Sequence, residues 1–188
     1  MPTINELTKI VSQVRRDIVR MVHSNSSGHP GGSLGCAEFL TALYFKIMNH
    51  KTKFSMDGVG EDLFFLSNGH ISPVFYSVLA RSGYFNVSEL STFRNIDSRL
   101  QGHPTPHEGL EGVRIASGSL GQGLSNAIGS ALTKKLNNDK SIVYSGTWNG
   151  NFNSWKSFNS QGKYLLIKYE DLITDKEETL KKILKFIY

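Results

Sequence analysis

Three histidines of this chain each follow a glycine in a turn-forming stretch. His29 lies in Ser26-Ser27-Gly28-His29-Pro30-Gly31-Gly32-Ser33, His70 in Leu66-Ser67-Asn68-Gly69-His70, and His103 in Arg99-Leu100-Gln101-Gly102-His103-Pro104. Imidazole is the side chain most easily set as acid, base or hydrogen-bond donor near neutral pH. Glycine lets a backbone pass close to a ligand, and together with proline it stops a helix from continuing. A fourth glycine cluster, Ser117-Gly118-Ser119-Leu120-Gly121-Gln122-Gly123, precedes a helical pattern. The free N–H groups of such a helix start are a natural seat for an anion. Four turns meeting in one pocket would bind a phosphate and shuttle protons at one centre. Taken singly, each histidine has a plainer reading as a surface or core residue with a satisfied ring. The glycine cluster has neither the Gly-x-Gly-x-x-Gly nor the Walker spacing. No two histidines share a helix face, which argues against a zinc site.

The turns need a scaffold, and 188 residues suffice for a domain with a real core. An apolar content of 39% fits a globular chain. No apolar run is long enough to span a membrane, and the polar, amphipathic first twenty residues do not read as a signal peptide. Cys36 is the single cysteine, so no internal disulfide forms, which suits a cytoplasmic location. The net charge is +5, but the lysines at 134–135 and 181–182 lie among acidic and apolar residues. No basic-aromatic groove is evident, so nucleic acid is not an expected partner.

Residues 4–23 carry apolar side chains at helical spacing, with Arg15, Arg16, Asp17 and Arg20 on the other side. Ser33 is placed to cap a second helix through Leu43 and Ile47. Asp62 to Ser67 reads as a buried strand, followed by the His70 turn and a helix through Val74 and Leu79. That is an α/β unit whose ligand side lies at the strand's carboxyl end. Val87 to Arg94 reads as a short helix started by Ser88. Residues 102–112 form a long loop of a kind that is often functional. A small-faced helix runs from about Leu120 to Lys135, and Ser141 to Ser145 reads as a second strand. The composition changes near 140–146. Tyr164 to Tyr169 is strand-like, and Thr174 to Tyr188 reads as a helix with a capping box at Thr174 and Glu177.

The order and wording of the motifs say more than the elements. Residues 15–140 resemble the N-terminal, thiamine-diphosphate-binding part of transketolase. The matching segments are Arg16 to Met21, Ser27 to Ser33, Leu43 to Phe45, Leu66 to His70, Leu100 to Pro104 and Gly118 to Ser125. The resemblance implies an α/β thiamine-diphosphate-binding fold, a parallel sheet flanked by helices, over residues 1–145, incomplete and followed by a strand–helix tail. It implies transfer of a two-carbon ketol unit between sugar phosphates, with the thiamine ring as electron sink. By position, His29, His70 and His103 match the family's catalytic histidines. His70 would lie near the cofactor diphosphate, His103 at the hydroxyls of the transferred unit and His29 at proton transfer. Gly118, Ser119 and Leu120, with His70, would line the cofactor. The short spacing suggests the type whose two halves are separate chains, so the expected partner is a second copy or a C-terminal transketolase subunit.

In the family, magnesium holds the diphosphate through a Gly-Asp-Gly after a strand. Here Gly146-Thr147-Trp148-Asn149-Gly150 follows instead, with Thr147 in place of the aspartate. No metal ligand is therefore assigned, and cofactor binding and activity by this chain alone are expected to be weak or absent. Residues 146–188 look like a late sulfotransferase segment, from Tyr169-Glu170-Asp171-Leu172 and the helix around Glu177 to Leu184. The phosphosulfate loop of that family is missing. Two further readings follow: a non-catalytic truncated fusion that only associates with a transketolase subunit, and a sulfotransferase fragment.

Overall fold

The computed structural model describes residues 2–144 together with Asp175, Glu178 and Lys181. The chain divides into two units, Met1–Ser145 and Gly146–Tyr188. Thr3 starts helix α1 (Ile4–Ser24) with a capping box: its hydroxyl accepts from the Glu6 amide, and the Glu6 carboxylate accepts from the Thr3 amide. Val14, Ile18 and Met21 bury one face of α1. Asp17 belongs to that face too, not to the polar side its charge suggested. It is 5% exposed, takes two hydrogen bonds from Arg81, and accepts a third from Ser77 at 2.7 Å. The helical period explains this, since Asp17 stands between Val14, Ile18 and Met21, and the ion pair makes its burial tolerable.

Gly28, at φ +137°, turns the chain out of α1. Helix α2 (Pro30–Gly35) then begins inside the glycine run, with Pro30 in its first turn. Ser33 is therefore not a cap but a buried residue within α2. Helix α3 (Ala37–Ala42) follows and widens into a π turn over Leu43–Ile47. Strand β1 (Leu63–Phe64) is followed by a 3₁₀ turn at Gly69–Ile71 and helix α4 (Ser72–Arg81). The expected helix at 87–94 is a 3₁₀ segment, Val87–Thr92, capped by Asn86, whose side chain accepts from the Ser88 amide. Helix α5 (Gln122–Leu136) leads to strand β2 (Val143–Tyr144).

The two strands pair in parallel, Leu63 with Val143 and Phe64 with Tyr144, as the α/β reading requires. The paired segment is shorter than 62–67 and 141–145. Phe64 and Leu66 enter the large core built by α1, α3 and α4. Leu63 and Phe65 face the other way, onto Ala127 of α5. This alternation at period two, apolar on both sides, is the signature of a sheet covered by helices on both faces. Asp62 ties the start of β1 to both neighbours, accepting from the Asn49 and Ile142 amides. Lys134 is buried near the end of α5 and donates to Asp139, Ser141 and the carbonyls of Gly58 and Glu61.

In the tail, Glu178 and Lys181 are helical and the Asp175 carboxylate accepts from the Glu178 amide at 3.3 Å. The Thr174–Glu177 box, the strand-like stretch at 164–169 and Thr147 lie outside the described residues. Among the described residues no helix is long and apolar enough to cross a membrane.

Candidate functional site

The carboxyl end of β1 is where the turns meet. His70 sits in the 3₁₀ turn directly after the strand. The His29 ring, at the start of α2, lies edge-on to His70 with centroids 5.0 Å apart. The His103 ring also meets His70, at 4.7 Å and again T-shaped. Three imidazoles far apart in sequence thus form one continuous row.

Short backbone and side-chain bonds fix this meeting. The Gly69 amide donates to the Ser117 carbonyl at 3.0 Å, and the Ser117 amide donates to Pro104 at 3.2 Å. Ser117 is thereby stitched between the His70 and His103 turns. Ser72, at the start of α4, donates to the Gly102 carbonyl at 2.7 Å, and Tyr76 donates to the Gln101 carbonyl at 2.8 Å. The glycines are steric necessities. A Cβ on Gly69 would stand 2.2 Å from the Ser117 carbonyl oxygen, and one on Gly123 would stand 2.6 Å from Ser67 Cα. Gly123 is the place where small-faced α5 lets another backbone approach. Gly118, Ser119 and Leu120 extend from Ser117 as an exposed edge of the same cluster, and the Gly121 amide closes it by donating to the Ser67 carbonyl at 3.3 Å.

The electrostatics favour a neutral, hydrogen-bonding imidazole at His103. Burial lowers the His103 pKa below the usual imidazole value, helped by His70, Arg94 and His29 nearby. His70 Nδ1, His103 Nε2 and the Ser117 hydroxyl are buried and have no hydrogen-bond partner within the described residues. Buried polar atoms are nearly always paired, so these three mark capacity for an external ligand rich in oxygen. A metal is a different matter. Among the described residues there is no group of three or more histidine, cysteine, aspartate or glutamate side chains able to hold one.

Sequence reasoning missed Arg94, the charged side chain that reaches the cluster from outside the glycine turns. Its Nη1 donates to the Ser27 hydroxyl at 2.7 Å, and its backbone has φ +61°. The signal lay only in tertiary structure, because nothing around Phe93-Arg94-Asn95 marks it as a motif. Arg99, by contrast, stands beside a motif yet works as a loop brace, bound to Glu89 and Glu111.

The family model described as transketolase, thiamine diphosphate binding domain, matches residues 7–144. A second model, sulfotransferase domain, matches residues 122–187. An apulose-4-phosphate transketolase subunit of Actinobacillus succinogenes is 34% identical over 166 residues, covering 86% of this chain and 59% of that protein. Coverage that wide carries the similarity past Tyr144 into the tail. Human transketolase is 35% identical over 132 residues, covering 70% of this chain and 21% of that protein. Among solved structures, the transketolase of Pichia stipitis in complex with sedoheptulose-7-phosphate aligns with a TM-score of 0.65 and 35% identity, covering 73% of this chain and 21% of that one. The Campylobacter jejuni transketolase aligns with a TM-score of 0.61 and 34% identity, covering 68% and 20%. This chain therefore spans about three fifths of the first relative and about a fifth of the others.

Proposed function

The chain belongs to the transketolase family through its thiamine-diphosphate-binding domain, and from that premise we propose that the imidazole row serves the transfer of a two-carbon ketol unit between sugar phosphates. The observation that carries the reading is the row itself: His29, His70 and His103 in successive T-shaped contacts, with His70 Nδ1 and His103 Nε2 left open for a ligand. Thiamine diphosphate, when bound, supplies an electron sink for breaking the bond beside a ketone.

The chain's own residues have separable tasks in this reading. His70 and the Ser117 hydroxyl donate to anionic oxygens, with Gly118, Ser119 and Leu120 forming the wall beside them. His103, kept neutral by burial, donates to sugar hydroxyls without adding a cation to the site. His29 is the most exposed of the three and takes or returns the proton of a substrate hydroxyl oxygen. Gly69 and Gly102 leave room for Ser117 and Arg94 beside these groups, and Gly28 supplies the backbone turn that leads into His29.

Magnesium does not fit what the described residues offer, and Thr147 stands where the family has an aspartate. A neutral hydroxyl lacks the charge that offsets the ion's desolvation. The chain alone is therefore assigned no ketol transfer and at most weak, magnesium-independent cofactor contact. Completion falls to a partner, either a second copy or a separate C-terminal subunit. The latter is supported by the Actinobacillus relative, which is named as one subunit of its transketolase.

We place the domain boundary at 145/146, which the division into two units supports. A sulfotransferase origin of residues 146–188 is supported by the second family match, whereas the wide coverage of the Actinobacillus relative favours continuity with transketolase for the early tail.

Calorimetry and histidine NMR on the full chain test the reading. Thiamine diphosphate at millimolar concentration should shift the His70 and His103 resonances equally with and without magnesium. No shift at any of the three histidines would overturn the site. Micromolar, magnesium-dependent binding would instead overturn the argument from Thr147.

A further inference from the structure

We propose that Arg94 is a positioning residue that holds the His29 turn in the imidazole row; the inference deepens the site reading above and rests on it for its functional meaning. Arg94 touches both outer turns of the row. Its Nη1 donates to Ser27 Oγ, two residues before His29, at 2.7 Å. The same guanidinium packs flat against Gly102, one residue before His103, so closely that a Cβ there would stand 2.7 Å from Nη2. Its backbone amide donates to the Leu100 carbonyl at 2.9 Å and closes the loop that leads into Gly102. The preceding carbonyl, of Phe93, accepts from the Asn25 side chain. The 93–94 peptide is thus bound to the loop before α2 from one side and to the loop before His103 from the other.

The backbone records the demand. Arg94 is one of three non-glycine residues with positive φ among the described residues. An arginine in the left-handed region is uncommon and persists where surrounding contacts over-determine it. The guanidinium lies over the Phe93 ring at 5.6 Å, and Nε is buried with no partner within the described residues. A planar fork that donates at one edge, stacks against a glycine and lies over a ring is a task a lysine ammonium cannot copy.

The other half of the row does not need Arg94. Ser72 to Gly102, and Ser117 to both Gly69 and Pro104, tie His70 to His103 by hydrogen bonds of their own. His29 has no such ties to His70; α2 meets that turn through Gly32 against Ile71, where a Cβ would stand 2.9 Å from the isoleucine side chain. Loss of the Arg94 fork should therefore affect the two ring contacts differently.

Imidazole-detected NMR on the full chain, without thiamine diphosphate, reads this directly. Arg94→Asn removes the fork while placing there a residue that tolerates the left-handed backbone. Ser27→Ala removes the acceptor and leaves Arg94 in place, so it decides the matter if the first variant unfolds by circular dichroism. The expected result in both is loss of the His29–His70 cross-peak with the His70–His103 cross-peak kept. Arg94→Lys should not restore the lost cross-peak. A His29–His70 contact that survives both Arg94→Asn and Ser27→Ala would overturn the assignment, and so would its recovery in Arg94→Lys, since a point charge would then suffice. The wild-type chain keeps the two readings apart: both cross-peaks present with no response to thiamine diphosphate would sink the proposed function and leave the role of Arg94 standing.

Discussion

His103 is the residue whose chemistry depends most on where the fold puts it. Burial is the first cause of its lowered pKa, with His70, Arg94 and His29 adding to it. The sign of the linkage follows. Between the folded value and the unfolded value of about 6.5, the unfolded chain binds more protons than the folded one, so stability rises with pH. The contribution is complete above about 6.5 and is lost as pH falls through the lowered folded value. Urea denaturation at neutral and mildly acidic pH checks this with His103→Asn as the control. The wild-type chain should lose more stability on acidification than the variant does. Equal losses would show that His103 titrates as it does in the unfolded state.

At the level of elements, the site exists because a strand end, a helix start and a loop approach more closely than side chains allow. Gly69 against Ser117 and Gly123 against Ser67 are the two points of closest approach. Neither glycine has a positive φ, so the requirement is steric and not conformational. Gly69→Ala should therefore destabilise the chain by about 1–3 kcal/mol through overpacking. It should also break the Gly69–Ser117 hydrogen bond that aligns His70 with His103. Thermal unfolding gives the first effect, and amide hydrogen exchange at Gly69, replaced by Ala, gives the second. A stable variant with slow exchange at that amide would contradict the close approach. Gly129, which would meet nothing within 4 Å, supplies the matched control as Gly129→Ala, expected to be neutral or stabilising.

At the scale of the whole molecule, the described residues present an exposed apolar face. Along α5, Ile128, Leu132 and Leu136 recur every fourth residue and are 54%, 56% and 82% exposed, opposite the buried Gly123 and Ala127. Leu120 before the helix and Phe39 on α3 are exposed as well. Contiguous apolar surface of this kind signals association. The chain should self-associate or bind a hydrophobic dye, and Ile128→Asp with Leu132→Asp should abolish both without loss of helicity. Light scattering that shows a monodisperse wild-type monomer with no dye binding would count against a partner-completed site.

The sequence by itself determined the family, the α/β class and the three glycine-histidine turns, because each is written in short-range motifs. Glycine-histidine turns, period-two strands and period-3.6 helices are all short-range patterns. It misjudged Asp17 because charge was read as exposure while the helical period placed it inward, and Ser33 because the helix it was to cap begins earlier, inside the glycine run. It gave no sign of Arg94, whose partners Ser27 and Gly102 come from separate turns of the chain. Only the tertiary structure decided that the imidazoles touch, that His103 is desolvated, and that the glycines are there for room. Distances between turns forty residues apart are set by how helices pack on the sheet, and no local pattern encodes them.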